Sequence, residues 1–334
     1  MRHTLQRAAA LAILAGSAFA MLGLGASEAE EGPFPGLPAP EQQELPLRHA
    51  SWTGAANSSL ADVERARQWM RTPLMTVAAD FYQGRIEDFD ATKYRQCTKA
   101  GANIYFVAQP GSAYNYGQTP DIVVRTVTFG AVPVEATVRL EQERSDGLPV
   151  PIKLETLTCA RLLPFGTEVP DSPVKGRVST RVMSVRVDGV SLPFRGECRT
   201  RESGALDLSG EGYLMGWDGT QNVPARVQPD LWNEGLFNLS PGGLLAGTVD
   251  VPPFSGCITT SGDDLSSLLT ATVSGEGFPL RTYQGGVLGC TVPNPGGKNL
   301  PPAPGASTPE SVPCRMDVLP PQVPPLPEIP TSGQ

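Results

Sequence analysis

Cys257 stands six residues ahead of Asp263 and Asp264 in VPPFSGCITTSGDDLSSLLTATVSG, residues 251–275. A thiol beside two carboxylates could form a nucleophile or a metal corner. Either use needs help that the chain does not supply. The sequence has two histidines, His3 near the N-terminus and His49 in a proline-rich stretch, so Ser-His-Asp and Cys-His mechanisms lack a rigidly held imidazole. Multi-histidine zinc or copper sites fail on the same count, and no C-x-x-C pair is present. Ser261-Gly262-Asp263-Asp264 instead has the form of a helix start, with Leu265, Leu268 and Leu269 facing inward behind it.

Two other groups of residues are candidates for chemistry. Glu87, Asp88 and Asp90 in GRIEDFDATKY could supply the paired carboxylates of a glycosidase, or form a solvated acidic loop. Tyr213, Trp217, Trp232 and Phe237 fall within 25 residues and are binding candidates, as a flat face for a sugar or a partner's aromatic ring; core packing is the competing role. Asp-Gly pairs at 146, 188 and 218 lack EF-hand spacing and are explained by hairpin turns. With no Gly-x-Gly-x-x-Gly or Walker sequence, no cofactor and no metal are expected.

The elements that would position these residues follow from pattern. Arg2 and Arg7 precede an uncharged run from Ala8 to Leu24 and then small residues, the layout of a secretory signal peptide over 1–29. No later stretch is apolar enough to suggest a transmembrane segment. The whole chain has 26 Lys plus Arg against 34 Asp plus Glu; without residues 1–29 it keeps 24 against 33, a net charge of −9 that disfavours nucleic acid as a partner. Six cysteines in an exported chain point to three disulfides. The expected pairs are Cys257 with Cys290, Cys97 with Cys159, and Cys198 with Cys314.

Residues 30–57 hold five prolines and are expected to form a linker. A helix is expected next, capped by Ser59 and Asp62, with Leu60, Val63, Ala66 and Met70 as its stripe. Thereafter the period is two. VEATVRLEQER alternates apolar and polar residues, Ser145-Asp146-Gly147 turns the chain into VPIKLETLTC, and Asp188-Gly189 joins Met183-Val185-Val187 to Val190-Leu192-Phe194. LTATVSG, 269–275, is a further strand candidate. The expected fold is all-β, an antiparallel β-sandwich architecture of two small sandwiches, 58–165 with the leading helix and 166–292, one large sandwich being the alternative. Residues 293–334, with 13 prolines in 42 positions, are expected to be a disordered tail.

LLAGTVDVPPFSGC and DDLSSLLTATVSGEGFPLRTYQGGVLGC, about residues 244–290, resemble a group of exported, disulfide-bonded, β-rich actinobacterial proteins of no established activity. The matching residues are Pro252, Pro253, Phe254, Gly256, Cys257, Asp264, Leu265, Leu268, Val273, Ser274, Gly275 and Cys290; Glu276 departs from the pattern. The resemblance implies export and a β fold. The signal peptide, the even cysteine count, the flanking proline-rich arms and the lack of a catalytic set make the expected function that of a non-catalytic protein of the cell envelope or extracellular space, acting by binding or structural presentation, with cell-wall polysaccharide or another exported protein as partner. The alternatives are a carboxylate-dependent carbohydrate-active enzyme and an inhibitor of an extracellular hydrolase.

Overall fold

A computed structural model describes residues 48–107, 115–128, 132–162, 166–216, 231–239, 242–286, 288–289, 324 and 326–330. In chain order the strands are β1 (Arg48–Val63), β2 (Gln68–Ile86), β3 (Tyr94–Phe106), β4 (Ile122–Thr128), β5 (Val132–Gln142), β6 (Arg144–Ser145), β7 (Leu148–Pro149), β8 (Ile152–Arg161), β9 (Gly166–Val169) and β10 (Ser172–Val187). They continue as β11 (Val190–Leu192), β12 (Cys198–Thr200), β13 (Gly204–Gly210), β14 (Tyr213–Gly216), β15 (Phe237–Asn238), β16 (Gly242–Val251), β17 (Phe254–Ser255), β18 (Gly275–Gln284) and β19 (Leu288–Gly289). One helix, α1 (Ser266–Val273), lies between β17 and β18.

Eight of these strands close on themselves. β1 pairs β2, and the ladder runs on through β3, β8, β10, β13, β16 and β18 back to β1, antiparallel at every step. The fold is a closed eight-stranded barrel with extra strands, which overturns both sandwich expectations. Four ring strands precede residue 166 and four follow it, so the expected boundary between two sandwiches falls within one ring. Closure leaves the ring no free edge, and its interior is just wide enough for side chains. Along β8, Ile152 and Leu154 are buried while Lys153 and Glu155 are exposed; along β13, Leu206 and Leu208 are buried while Ala205, Asp207 and Ser209 are exposed. Burying each such aliphatic side chain contributes about 1.5–3 kcal/mol, so alternation fixes which face turns inward.

The long strand β10 leaves the ring part-way along. Val174 and Lys175 pair with β8, but Val178 to Val187 pair with β5, which carries β4 on its other edge. This flap and β12, β17 and α1 enclose a second core of Ile122, Val138, Val182, Val185, Cys198, Phe254 and Cys257, joined by Leu265 just before α1 and by Leu269 and Val273 within it.

The expected helix over 59–70 is instead the end of β1, a 3-10 turn at Glu64–Ala66, and the start of β2. Ladders from β18 and β2 on both edges of β1 supply its backbone partners, and this outweighs a four-residue helical stripe. Conversely LTATVSG is largely α1. The Asp146-Gly147 and Asp188-Gly189 turns have positive φ at both residues, as their hairpins require.

Cys97 and Cys159 lie directly opposite each other on β3 and β8 and are bonded, as expected. The other expected pairs are replaced: β12 pairs β17 through Arg199 and Ser255, which brings Cys198 and Cys257 to a Cα separation of 4.2 Å, and these two are bonded. Cys290 and Cys314 lie outside the described residues. Within the proline-rich tail Pro324 and Pro327 are buried, and Arg71 Nη1 donates to Pro327 O at 3.4 Å. That stretch is docked on the body, contrary to the expected disorder.

Candidate functional site

The acids beside Cys257 build a turn. Asp264 Oδ1 accepts from Ser266 N at 2.8 Å, and Asp263 Oδ2 accepts from Ser261 Oγ at 2.7 Å. The side-chain and backbone hydrogen bonds from Ser266 hold the Asp264 carboxyl below the ordinary value of 3.8. Leu265 and Leu269 pack inward as expected, but Leu268 is 47 % exposed. Cys257 is fully buried and bonded, so it offers neither thiolate nor ligand.

Glu87, Asp88 and Asp90 are exposed in the turn between β2 and β3. Asp90 is engaged locally by the hydroxyl and N–H of Thr92, with Lys93 Nζ 3.6 Å away, and these contacts lower its pKa. The aromatic candidates are gathered elsewhere. Trp232 Nε1 donates to Gln284 O at 2.8 Å, and Gln284 faces Asn57 and Met75 across the β18–β1–β2 ladders. From Met75 to the acidic turn is about eleven residues of β2, roughly 35 Å at the strand rise. The acids and aromatics are therefore not one site.

Three of the aromatics are packed on, or hydrogen-bonded to, barrel or adjoining residues. Phe237 is fully buried in the barrel core, with Gly210 so close that a Cβ there would lie 2.3 Å from Phe237 Cβ. Tyr213 Oη accepts from Asn238 Nδ2 at 3.1 Å, and Trp232 is tied to Gln284. Trp217 lies outside the described residues. Packing, the competing role, accounts for Phe237, and a flat exposed platform is not what Tyr213, Trp232 and Phe237 form.

The polar groove that sequence reasoning missed lies on the flap, where β10 leaves the ring. It encloses about 620 Å³ and is lined by four arginines, Arg144, Arg177, Arg181 and Arg199, four glutamates, Glu141, Glu143, Glu197 and Glu202, and the amides of Asn115, Gln118 and Gln142. Its floor is built from the strands up. Gln142 is buried, donating to Ile104 O and Val150 O and accepting from Phe106 N at 2.7 Å, which locks the end of β5 to β3. Glu141 is also buried; its Oε1 accepts from Gln118 Nε2 at 2.8 Å and lies 3.7 Å from Arg181 Nη1. Arg181 reaches Glu197 Oε1 at 3.1 Å, and Arg199 lies 3.7 Å from Glu197 Oε2. Arg177 faces Glu143 at 3.6 Å and also donates to Ser203 O.

Four arginines and four glutamates make the formal charge of the groove lining zero, and the lining offers both donors and acceptors. Only alternation of Arg and Glu in RLEQER and RGECRTRES hinted at it, and such runs are usually solvated faces. Among the described residues no group of three or more His, Cys, Asp or Glu could hold a metal ion. Compared with protein-family models, curated proteins and solved structures, the chain has no significant match in any of the three.

Proposed function

We propose that the protein is exported and acts outside the cytoplasm by binding, without catalysis, a neutral hydroxyl-rich polymer such as cell-wall polysaccharide in the flap groove. The observation that carries this is the charge-balanced lining. Each hydroxyl of a sugar both donates and accepts, so a surface of interleaved arginines, glutamates and amides meets it at every position. A polyanion would meet Glu141, Glu143, Glu197 and Glu202. Glu197, with one oxygen on each of two arginines, is engaged as scaffold and is not presented as a free acid.

Export is supported by the signal-like N-terminus, the resemblance over residues 244–290 and two buried disulfides. Among the described residues no helix is long and apolar enough to cross a membrane. The barrel also has aliphatic residues inside and Lys153, Glu155, Lys175 and Asp207 exposed outside, the reverse of a lipid-facing barrel. Co-sedimentation of the purified mature chain with actinobacterial wall fractions tests the proposal. Retention well above that of an unrelated acidic protein is expected; equal retention contradicts wall binding.

A further inference from the structure

The barrel interior is not filled. A cavity of about 90 Å³ lies along its axis, walled by aliphatic side chains that include Met75, Val77, Leu245 and Leu280. It exists because β1 turns small and polar residues inward: Ala55 and Ala61 belong to the barrel core, and Asn57, Ser59 and Ala61 line the void. Opposite them a β-bulge shifts the register between Asn57–Met75 and Ser59–Thr72, where Pro73 lacks the N–H for a regular ladder.

Most polar groups around the void are engaged with one another. Ser59 Oγ and Thr282 Oγ1 share a hydrogen bond of 3.0 Å, Thr72 Oγ1 accepts from Ser59 N at 2.6 Å, and Gln284 Nε2 donates to Leu239 O at 3.2 Å. Asn57 differs. It is 93 % buried, and among the described residues its Oδ1 has no hydrogen-bond partner. Leaving such an acceptor unsatisfied is costly, and a native protein keeps one only for a reason. The void is several times the roughly 10–15 Å³ that a single water needs, so it has room for a molecule larger than one water.

We propose that the barrel lumen is a binding site for a compact aliphatic molecule carrying one hydroxyl, which hydrogen-bonds the Asn57 side-chain amide while its hydrocarbon part fills the aliphatic wall. The hydroxyl serves whichever way the amide is turned, since it can donate or accept. A cavity of roughly 150 Å³ holds the six carbons of benzene, so the lumen takes about four non-hydrogen atoms. This site is separate from the flap groove, shares no lining residue with it, and stands whether or not the groove binds polysaccharide.

The test uses the purified mature protein with methyl-labelled Val, Leu and Ile. It is titrated with 2-propanol and, in parallel, with 2-chloropropane, which has a similar shape and no hydroxyl. Saturable shifts confined to Val77, Ile104, Leu245 and Leu280 are expected with 2-propanol, with at least about tenfold weaker binding of the chloride. Asn57→Leu should erase that preference, and Ala61→Leu, which fills the void without touching Asn57, should abolish both titrations. The proposal is overturned if the lumen methyls respond to neither compound, if both bind equally to the wild type, or if a crystal structure grown in 2-propanol shows only ordered water on Asn57. The wild-type comparison needs no variant, so it decides the matter even if a substitution impairs folding.

Discussion

Asp264 Oδ1 accepts the Ser266 N–H two residues on, an Asx turn that leads the chain into α1. Its folded pKa lies below 3.8, so the contribution of this turn is complete above the ordinary carboxylate range and is lost as pH falls through the folded value. Asp264→Ala should lower the melting temperature and speed hydrogen exchange at Ser266, whereas Asp264→Asn, which keeps a side-chain oxygen, should do less. An NMR titration of Asp264 with a midpoint at or above 3.8 would contradict the assignment. Gly101 tests a different kind of fit. It lies opposite Tyr82 across β2 and β3, and a Cβ there would sit 2.4 Å from the Tyr82 ring, whose hydroxyl donates to Glu155 Oε1 at 3.2 Å. Gly101→Ala should cost about 1–3 kcal/mol, measured by denaturant unfolding; a change below about 0.5 kcal/mol would show that the ring moves freely.

The Cys198–Cys257 bond ties β12 to the turn after β17, beneath α1. Its cysteines are 59 residues apart, a closure that the chain-entropy model values at roughly 4 kcal/mol. Non-reducing peptide mapping should recover the 198–257 link, and the Cys198→Ser, Cys257→Ser double variant should lose stability of that order. A 257–290 link would contradict the topology. The opposite outcomes for the two bonds explain what sequence can tell at this scale. Cys97 and Cys159 face each other across two long ladder strands, and the expected pair is the observed one. Cys257 follows a two-residue strand whose partner, β12, is three residues long, too short to leave a period. β1 is hard to recognise in the sequence for a related reason: its inward positions carry Ala, Asn and Ser, with no apolar alternation, while Leu60 and Met70 fall by chance at helical spacing. The same small and polar residues open the lumen.

The β class and the turns at Asp146-Gly147 and Asp188-Gly189 were legible in the chain; ring strands β1 and β13, and closure, were not. The ring is completed by β1 with β18, more than two hundred residues apart, and by only two residue pairs between β8 and β10. Period-two alternation says which face is buried but not whether the buried face belongs to a sandwich or a ring. The groove escaped notice because it is made by β10 crossing from ring to flap, which joins Glu141, Arg181 and Glu197 from three separate segments. A charge-balanced groove has a further consequence: binding of a neutral polymer should change little between about 50 and about 500 mM salt, whereas a charged partner's would weaken steeply. Calorimetric titration of the mature protein with soluble neutral wall glycan, alongside the Arg177→Ala, Arg199→Ala double variant, is the most direct test. Both arginines are partly exposed with surface ion pairs, so their loss should leave the fold intact. Saturable, salt-insensitive binding that weakens at least about tenfold in the variant is expected; no binding, or equal binding by both proteins, would contradict a glycan site in the groove.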